Sequence, residues 1–362
     1  MAGAAAADAV QARLRAAAGD GVLRFDRFVE IALYSPGGFY DSAALPLGTE
    51  GSFYTAAHTT PLFGATLARR LAAERERLGV GSPFRVVELG PGDGTLALDA
   101  ARALPPGGAR WEWTFVERSA RLRTLLADRI AREAGGTPVT FDFMDALSAR
   151  GTFAGAVVAN EFLDALPFRR RVRRDGMWRE LGVRWSGGRW AWAEDETAPG
   201  TSGEPIADAD EGTRYEYLER AEGFLREVAD HLVAGAAIFL DYGAGTEELL
   251  RGHPGGTLAA VRNHRSVDPL EAPGTADVSA FVDFTRVRAA AARAGLSERA
   301  FRTQSEALGA WGFSELLNAT VQRATGPEAS VKIRLAAKNL LFGFGTFHAL
   351  ELEAPRAAVP TS

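Results

Sequence analysis

The chain has no cysteine in its 362 residues. Disulfides, thiolate metal sites and cysteine nucleophiles are thereby excluded. Lysine is almost as scarce: Lys332 and Lys338 are the only two, and arginine supplies the rest of the 41 basic residues. With so much alanine and glycine, that bias points to a GC-rich bacterial genome more than to a functional demand. The five histidines show no metal-ligand spacing, so no metal is expected. No run of 18 apolar residues occurs, and a membrane-spanning helix is not expected. Positive charge is not in excess either. The net charge of −5 gives no electrostatic attraction to nucleic acid or to an anionic membrane. The alanine-rich opening, residues 1–21, lacks a basic segment and a leucine-rich run, and it carries Asp8 and Asp20. It reads as an amphipathic or frayed helix rather than a targeting peptide, and a cytoplasmic location is expected.

What is present starts with the stretch VVELGPGDGTL at 86–96. A short apolar run from Phe84 ends in Glu88, turns through Gly90, Gly92 and Gly94, and leads into a helical segment over 95–104. Strand, glycine-rich turn and helix in that order mark a nucleotide-handling α/β domain. Glycine is needed where the turn takes positive φ and a ligand touches the backbone. A dinucleotide fold spaces its glycines G-x-G-x-x-G, with the third where this chain has Thr95, so a nicotinamide oxidoreductase is disfavoured. An incidental tight turn is the bland alternative. A second candidate strand, 113–116, ends in Glu117, 27 residues after Gly90. An acid there can accept hydrogen bonds from both ribose hydroxyls. A third, Val139–Met144, ends at Asp145, placed for an adenine amino group. Each acid alone is more often a solvated loop carboxylate. Three signals at successive strand ends, where the crevice of an open α/β sheet lies, argue for a ligand.

The fourth candidate strand, 153–159, is small and apolar, as a strand buried on both faces should be. It runs into NEFLDALP at 160–167. That octapeptide, with GPGDGTL at 90–96 and LDYG at 240–243, resembles the MidA-like S-adenosylmethionine (SAM)-dependent methyltransferases. The family includes the mitochondrial complex I assembly factor that methylates an arginine. The likeness extends to FVEIALYSPGGFY at 28–40, GSFYT at 51–55, the 257–284 segment, Thr303-Gln304 and Gly345-Thr-Phe347. It covers roughly residues 25 to 350. The resemblance implies an α/β fold of the class I SAM-methyltransferase type: a Rossmann-like seven-stranded sheet whose last strand is antiparallel. It implies SAM as cofactor, with Glu88, Gly90, Gly92, Gly94, Thr95, Glu117, Asp145 and Asn160 around it. Two departures stand out. Where the family reads T-S-P-E-I-S-P-L-F-G, this chain reads TAAHTTPLFG over 55–64, so His58 replaces an acid. The position after Gly92, commonly arginine, is Asp93. Cofactor binding should survive both; the acceptor is what they put in question.

The organisation expected is a helical N-terminal cap region, 1–80, and a methyltransferase core, 81–352. The core is interrupted by a β-meander and linker at 168–230 and a substrate-side loop at 246–284. A helix should start at Thr60-Pro61, bury Phe63, Leu67, Leu71 and Leu78 on one face and stop at Gly79. Asp175-Gly176 and Gly187-Gly188 signal hairpin turns. The arginine run 169–174 reads as a solvated edge strand rather than a nucleic-acid patch. Trp178, Trp185, Trp190 and Trp192 read as hairpin packing. Residues 193–212 read as a mobile linker, 215–233 as helix, 236–240 as a fifth strand, 284–294 as helix, and 297–304 with 344–352 as the closing strands.

Methyl transfer from a sulfonium needs alignment and a lone pair rather than a covalent enzyme intermediate. Glu161, Asn160 and Asp164 after strand four, with Asp241 and Tyr242 after strand five, are the candidate catalytic residues. Their acids suit a guanidinium, which cannot simply be deprotonated first, or act as a general base. Helix N-capping is the bland alternative for Glu161 and Asp164. His264 is a weak candidate for ordering its loop. His58, otherwise a satisfied surface histidine, is read as meeting a carboxylate or hydroxyl on a small acceptor. The function expected is N-methylation of an arginine or other guanidine group, with free arginine or a small metabolite favoured over a protein arginine. An O- or C-methyltransferase of another metabolite and a non-catalytic assembly factor are the alternatives. No nucleic-acid or membrane partner is expected, and a homodimer is compatible.

Overall fold

The protein is described from a computed structural model over residues 2–42, 56–79, 83–105, 110–196 and 209–354. Its centre is a sheet of seven long strands: β1 Phe84–Leu89, β2 Trp111–Val116, β3 Val139–Met144, β4 Phe153–Asn160, β5 Leu232–Ala244, β6 Ser297–Thr303 and β7 Phe347–Glu353. Their spatial order is β6-β7-β5-β4-β1-β2-β3. Strands β1 to β5 pair in parallel, and β7 runs antiparallel to both β5 and β6. This is the class I α/β arrangement expected. Chain direction across the sheet reverses between β1 and β4, and that switch point opens a crevice at their carboxyl ends.

Both faces of the sheet are covered, which is why β1, β4 and β5 read as apolar runs rather than alternating ones. One face packs on the helices Leu62–Leu78 and Thr95–Ala103, the other on Ala221–His231 and Phe284–Arg293. The helix after Pro61 behaves as its sequence requires. Phe63, Leu67 and Leu71 are fully buried, and Gly79 ends it at φ 62. Each such side chain contributes about 1.5–3 kcal/mol by leaving water. The buried Glu74 on that helix meets Arg70, Arg77 and Arg299, which anchors it to the β6–β7 edge.

The insertion after β4 is a four-stranded antiparallel sheet: Arg189–Glu194, Met177–Ser186, Arg169–Arg174 and Arg214–Tyr217, in that order. Asp175 and Gly176 take φ 51 and 73, the primed hairpin turn their sequence signals. Trp185 sits directly across from Trp190, rings 5.4 Å apart. Two readings need correcting. The strand Arg169–Arg174 is not an edge, because it pairs on both sides, and Arg169, Arg170 and Arg171 are largely withdrawn from solvent. Arg169 meets Glu180 and Arg170 meets Glu216, at 2.8 and 2.7 Å. The stretch 215–233 is not all helix: it begins in the last meander strand, because Tyr215 and Tyr217 fill the sheet's interior, and the helix starts only at Ala221. Most of the expected linker lies outside the described residues, as does GSFYT at 51–55.

Residues 246–284 carry the helix Thr246–Gly252 and a small sheet of Ala259–Arg262, Arg265–Ser266 and Asp277–Ser279. Asn263 and His264 form its hairpin turn, with His264 exposed at φ 60, which makes it a turn residue. Three helices, Gln304–Ala310, Phe313–Gln322 and Pro327–Phe342, link β6 to β7. No helix among the described residues is long and apolar enough to cross a membrane.

Candidate active site

The glycine turn after β1 forms one wall of a cavity of about 340 Å³. Gly90, Gly92 and Gly94 take φ 61, 56 and 80. A Cβ on Gly90 would lie 2.7 Å from the Phe162 ring, whereas one on Gly92 would meet no atom within 4 Å. Gly92 therefore lines the cavity with open space where a side chain would stand. Gly94 is different. It does not line the cavity, and a Cβ would collide with Leu126 at 2.5 Å, so it is a packing glycine rather than a contact for a ligand.

Glu88, Thr95, Glu117, Asp145, Asn160 and Glu161 all line this cavity, brought together from the ends of four strands. Glu88 accepts from the Trp113 indole N–H at 2.8 Å, and burial pushes its carboxyl up to about 8. Glu117 accepts from the Ser119 N–H at 2.7 Å, and burial raises its carboxyl too. Asp145 is exposed at the rim. Asn160 reaches Glu161 through its amide N–H at 3.4 Å, while its carbonyl Oδ1 is buried with no hydrogen-bond partner.

Beyond Asn160 the chain turns sharply, with Glu161 at φ 50. No helix begins here, so helix capping does not explain Glu161 or Asp164. Glu161 Oε1 accepts the Ala56 N–H at 2.8 Å, and burial, together with Asp164 nearby, pushes this carboxyl up to about 8. Asp164 is buried; the Tyr242 hydroxyl donates to its Oδ2, and its Oδ1 has no partner. Burial and the charge of Asp241 hold the Asp164 carboxyl well above the usual range. Asp241 does not approach an acceptor as expected. Its Oδ2 accepts the N–H groups of Phe162 and Leu163 at 3.0 and 2.7 Å and its Oδ1 that of Tyr242 at 3.0 Å, which fixes the turn from within the core. Asp164, Asp241 and Tyr242 thus stand behind the cavity wall rather than on it.

The two departures from the family pattern meet each other. His58 Nε2 lies 3.1 Å from Asp93 Oδ2, and Arg129 reaches the same oxygen at 2.6 Å. Asp93 also accepts the Thr95 N–H at 3.1 Å. Against burial, the His58 and Arg129 contacts hold Asp93 well below the usual carboxylate range. His58 lines the cavity, but its Nε2 is engaged by Asp93, so the reading that it meets an acceptor's carboxylate is corrected.

Residues of the wall that the sequence did not single out include Tyr34 and Tyr40, with Asp277 behind them. Tyr34 and Tyr40 line the cavity, their rings stacked 5.2 Å apart, and the Tyr40 hydroxyl donates to Asp277 Oδ1 at 2.9 Å. Tyr34 donates to the Ala165 carbonyl at 2.7 Å. The one signal was that 28–40 and 257–284 both carry the resemblance; nothing in either stretch announces that they converge.

Comparisons with known proteins agree with this geometry. The model of a family of S-adenosyl-L-methionine-dependent methyltransferases matches residues 66–301. The mitochondrial protein arginine methyltransferase NDUFAF7 homologue of Drosophila melanogaster is 30% identical over 269 residues, 67% of this chain and 60% of its own length. The Danio rerio protein arginine methyltransferase NDUFAF7 is 28% identical over 67% of this chain and 62% of its own. The match thus spans about 60% of the length of these curated relatives. A Burkholderia thailandensis protein, solved with S-adenosylhomocysteine bound, is 31% identical with a TM-score of 0.85, covering 99% of this chain and 95% of that one.

Proposed function

The chain belongs to this S-adenosyl-L-methionine-dependent methyltransferase family, and we propose that its methyl acceptor is a guanidinium nitrogen of arginine. The cofactor fits the cavity on two counts: Gly92 lines it with open space at its Cβ position, and Asn160 presents a buried carbonyl without a partner. Glu88, Gly90, Gly92, Thr95, Asn160 and the carboxylates Glu117 and Asp145 would hold it. Bound there, SAM supplies a methyl group on a sulfonium sulfur, whose departure leaves neutral S-adenosylhomocysteine.

The observation that carries the acceptor assignment is the Glu161 carboxyl on the cavity wall, with the carboxyls of Asp164 and Asp277 behind it. No arginine, lysine or histidine among the described residues pairs with any of the three. Buried acids without a cation hold their protons to higher pH, and an opposite charge brought among them favours ionisation. A guanidinium supplies that charge and offers five planar N–H donors. Glu161, on the cavity wall, is placed to hold the reacting nitrogen and to take the one proton it loses. The names of the relatives support arginine in particular. With His58 turned to Asp93, a free amino acid loses its reason for preference over an arginine within a chain. The purified protein with methyl-labelled SAM should label free arginine or arginine peptides. Labelling of a hydroxyl or carbon acceptor, with every guanidine compound inert, would overturn the proposal.

A further inference from the structure

The acceptor assigned above needs more than Glu161. A guanidinium presents donors along three edges of a plane, and one carboxylate satisfies at most one edge. Asp277 comes from the small sheet of the 246–284 segment, far in sequence from Glu161. One of its oxygens is taken by the Tyr40 hydroxyl at 2.9 Å, which fixes the group's orientation. The same device recurs at Asp164, where Tyr242 takes one oxygen and the other is buried without a partner. The groups facing Asp277 are Tyr40 and Tyr34 from the N-terminal region and Asp164 and Glu161 from the turn after β4. None of them is cationic. Burial raises Asp277 to about 6, against the hydrogen bonds from the Tyr40 hydroxyl and the Val278 N–H that lower it.

The Arg118 guanidinium lies over the Tyr34 ring at 5.4 Å, at the edge of the same cavity. With Tyr40 stacked on the same ring at 5.2 Å, Tyr34 is covered by its own neighbours and serves to position Tyr40, the partner of Asp277.

We infer that Asp277, oriented by Tyr40, is an acceptor-binding residue that takes the unreactive edge of the guanidinium. Glu161 and Asp277 then grip the acceptor from two sides and select a planar cation over a simple amine. This rests on the guanidinium reading, which wild-type protein tests by itself. Full-length wild type, Asp277→Asn and Tyr40→Phe are compared by calorimetry for S-adenosylhomocysteine and, with that ligand saturating, for whichever arginine compound the wild type methylates. Steady-state kcat and KM are measured alongside. Asp277→Asn should keep S-adenosylhomocysteine affinity within twofold and raise both the acceptor Kd and KM about tenfold or more. Tyr40→Phe should raise them severalfold, and Asp277→Glu should recover part of the loss. Wild-type acceptor affinity in Asp277→Asn overturns the inference and leaves the proposed function standing. A wild type inert toward every guanidine compound overturns both. Should Asp277→Asn lose S-adenosylhomocysteine binding, Tyr40→Phe decides: unchanged acceptor Kd and KM there overturn the inference.

Discussion

Glu161 occupies a left-handed backbone conformation, at φ 50, that costs a glutamate about 1–3 kcal/mol. It stays there because its N–H donates to the Leu240 carbonyl at 2.8 Å and its carboxyl is pinned by Ala56. Such strain belongs where a side chain must be aimed. Glu161→Gln keeps the size and removes the charge, so it should leave S-adenosylhomocysteine affinity intact while kcat falls by about a hundredfold or more. Unchanged turnover would remove Glu161 from the chemistry. The same variant carries a stability signature. Burial lifts Glu161 from 4.5 to about 8, so the fold holds this proton more tightly than the unfolded chain does. Stabilisation from that proton is complete below about pH 4.5 and is lost as pH rises through about 8. The melting temperature of Glu161→Gln relative to wild type should therefore rise between about pH 5 and pH 9. At this scale the acids at strand ends were legible because each follows an apolar run. The His58–Asp93 pair was not, since it forms only when the 56–58 turn folds onto the glycine loop, 35 residues away in sequence.

The turn after β4 shows what an element demands of its neighbours. Residues 162–164 make no helix, yet their N–H groups point inward, and Asp241 on β5 collects them. Asp241→Ala would leave these buried donors unpaired, at a cost of about 2–4 kcal/mol, and a urea midpoint should fall accordingly with its slope unchanged. An unchanged midpoint would mean the turn holds itself. From sequence, Asp241 was indistinguishable from a catalytic acid, because a strand-end carboxylate looks alike whether it faces a ligand or caps a loop. The meander arginines misled in the same way. Arg169 and Arg170 look solvated until Glu180 and Glu216, on other strands, are placed beside them. The helices over 304–342 gave no expectation at all. Pro327–Phe342 buries only Ala337 and Leu340, so its periodic signal is weak.

At the level of the whole molecule, the sheet was readable almost strand by strand, since its apolar runs and glycine turn follow from local requirements. What local pattern could not supply is convergence. Tyr34 and Tyr40 near the amino terminus, Glu161 and Asp164 after β4, and Asp277 in a late loop meet only through the completed fold. Their meeting leaves several carboxyl groups raised above their ordinary values with no cation beside them, and an arriving guanidinium must ionise at least one. That coupling can be read directly. Arginine, free or in a peptide, is titrated at pH 7 into the S-adenosylhomocysteine-saturated protein in buffers of different ionisation enthalpy. Binding should release about one proton per guanidinium, and the release should shrink as pH rises past about 8. Binding without proton release, or no binding of any arginine compound, would contradict the assignment of this cluster as the acceptor site.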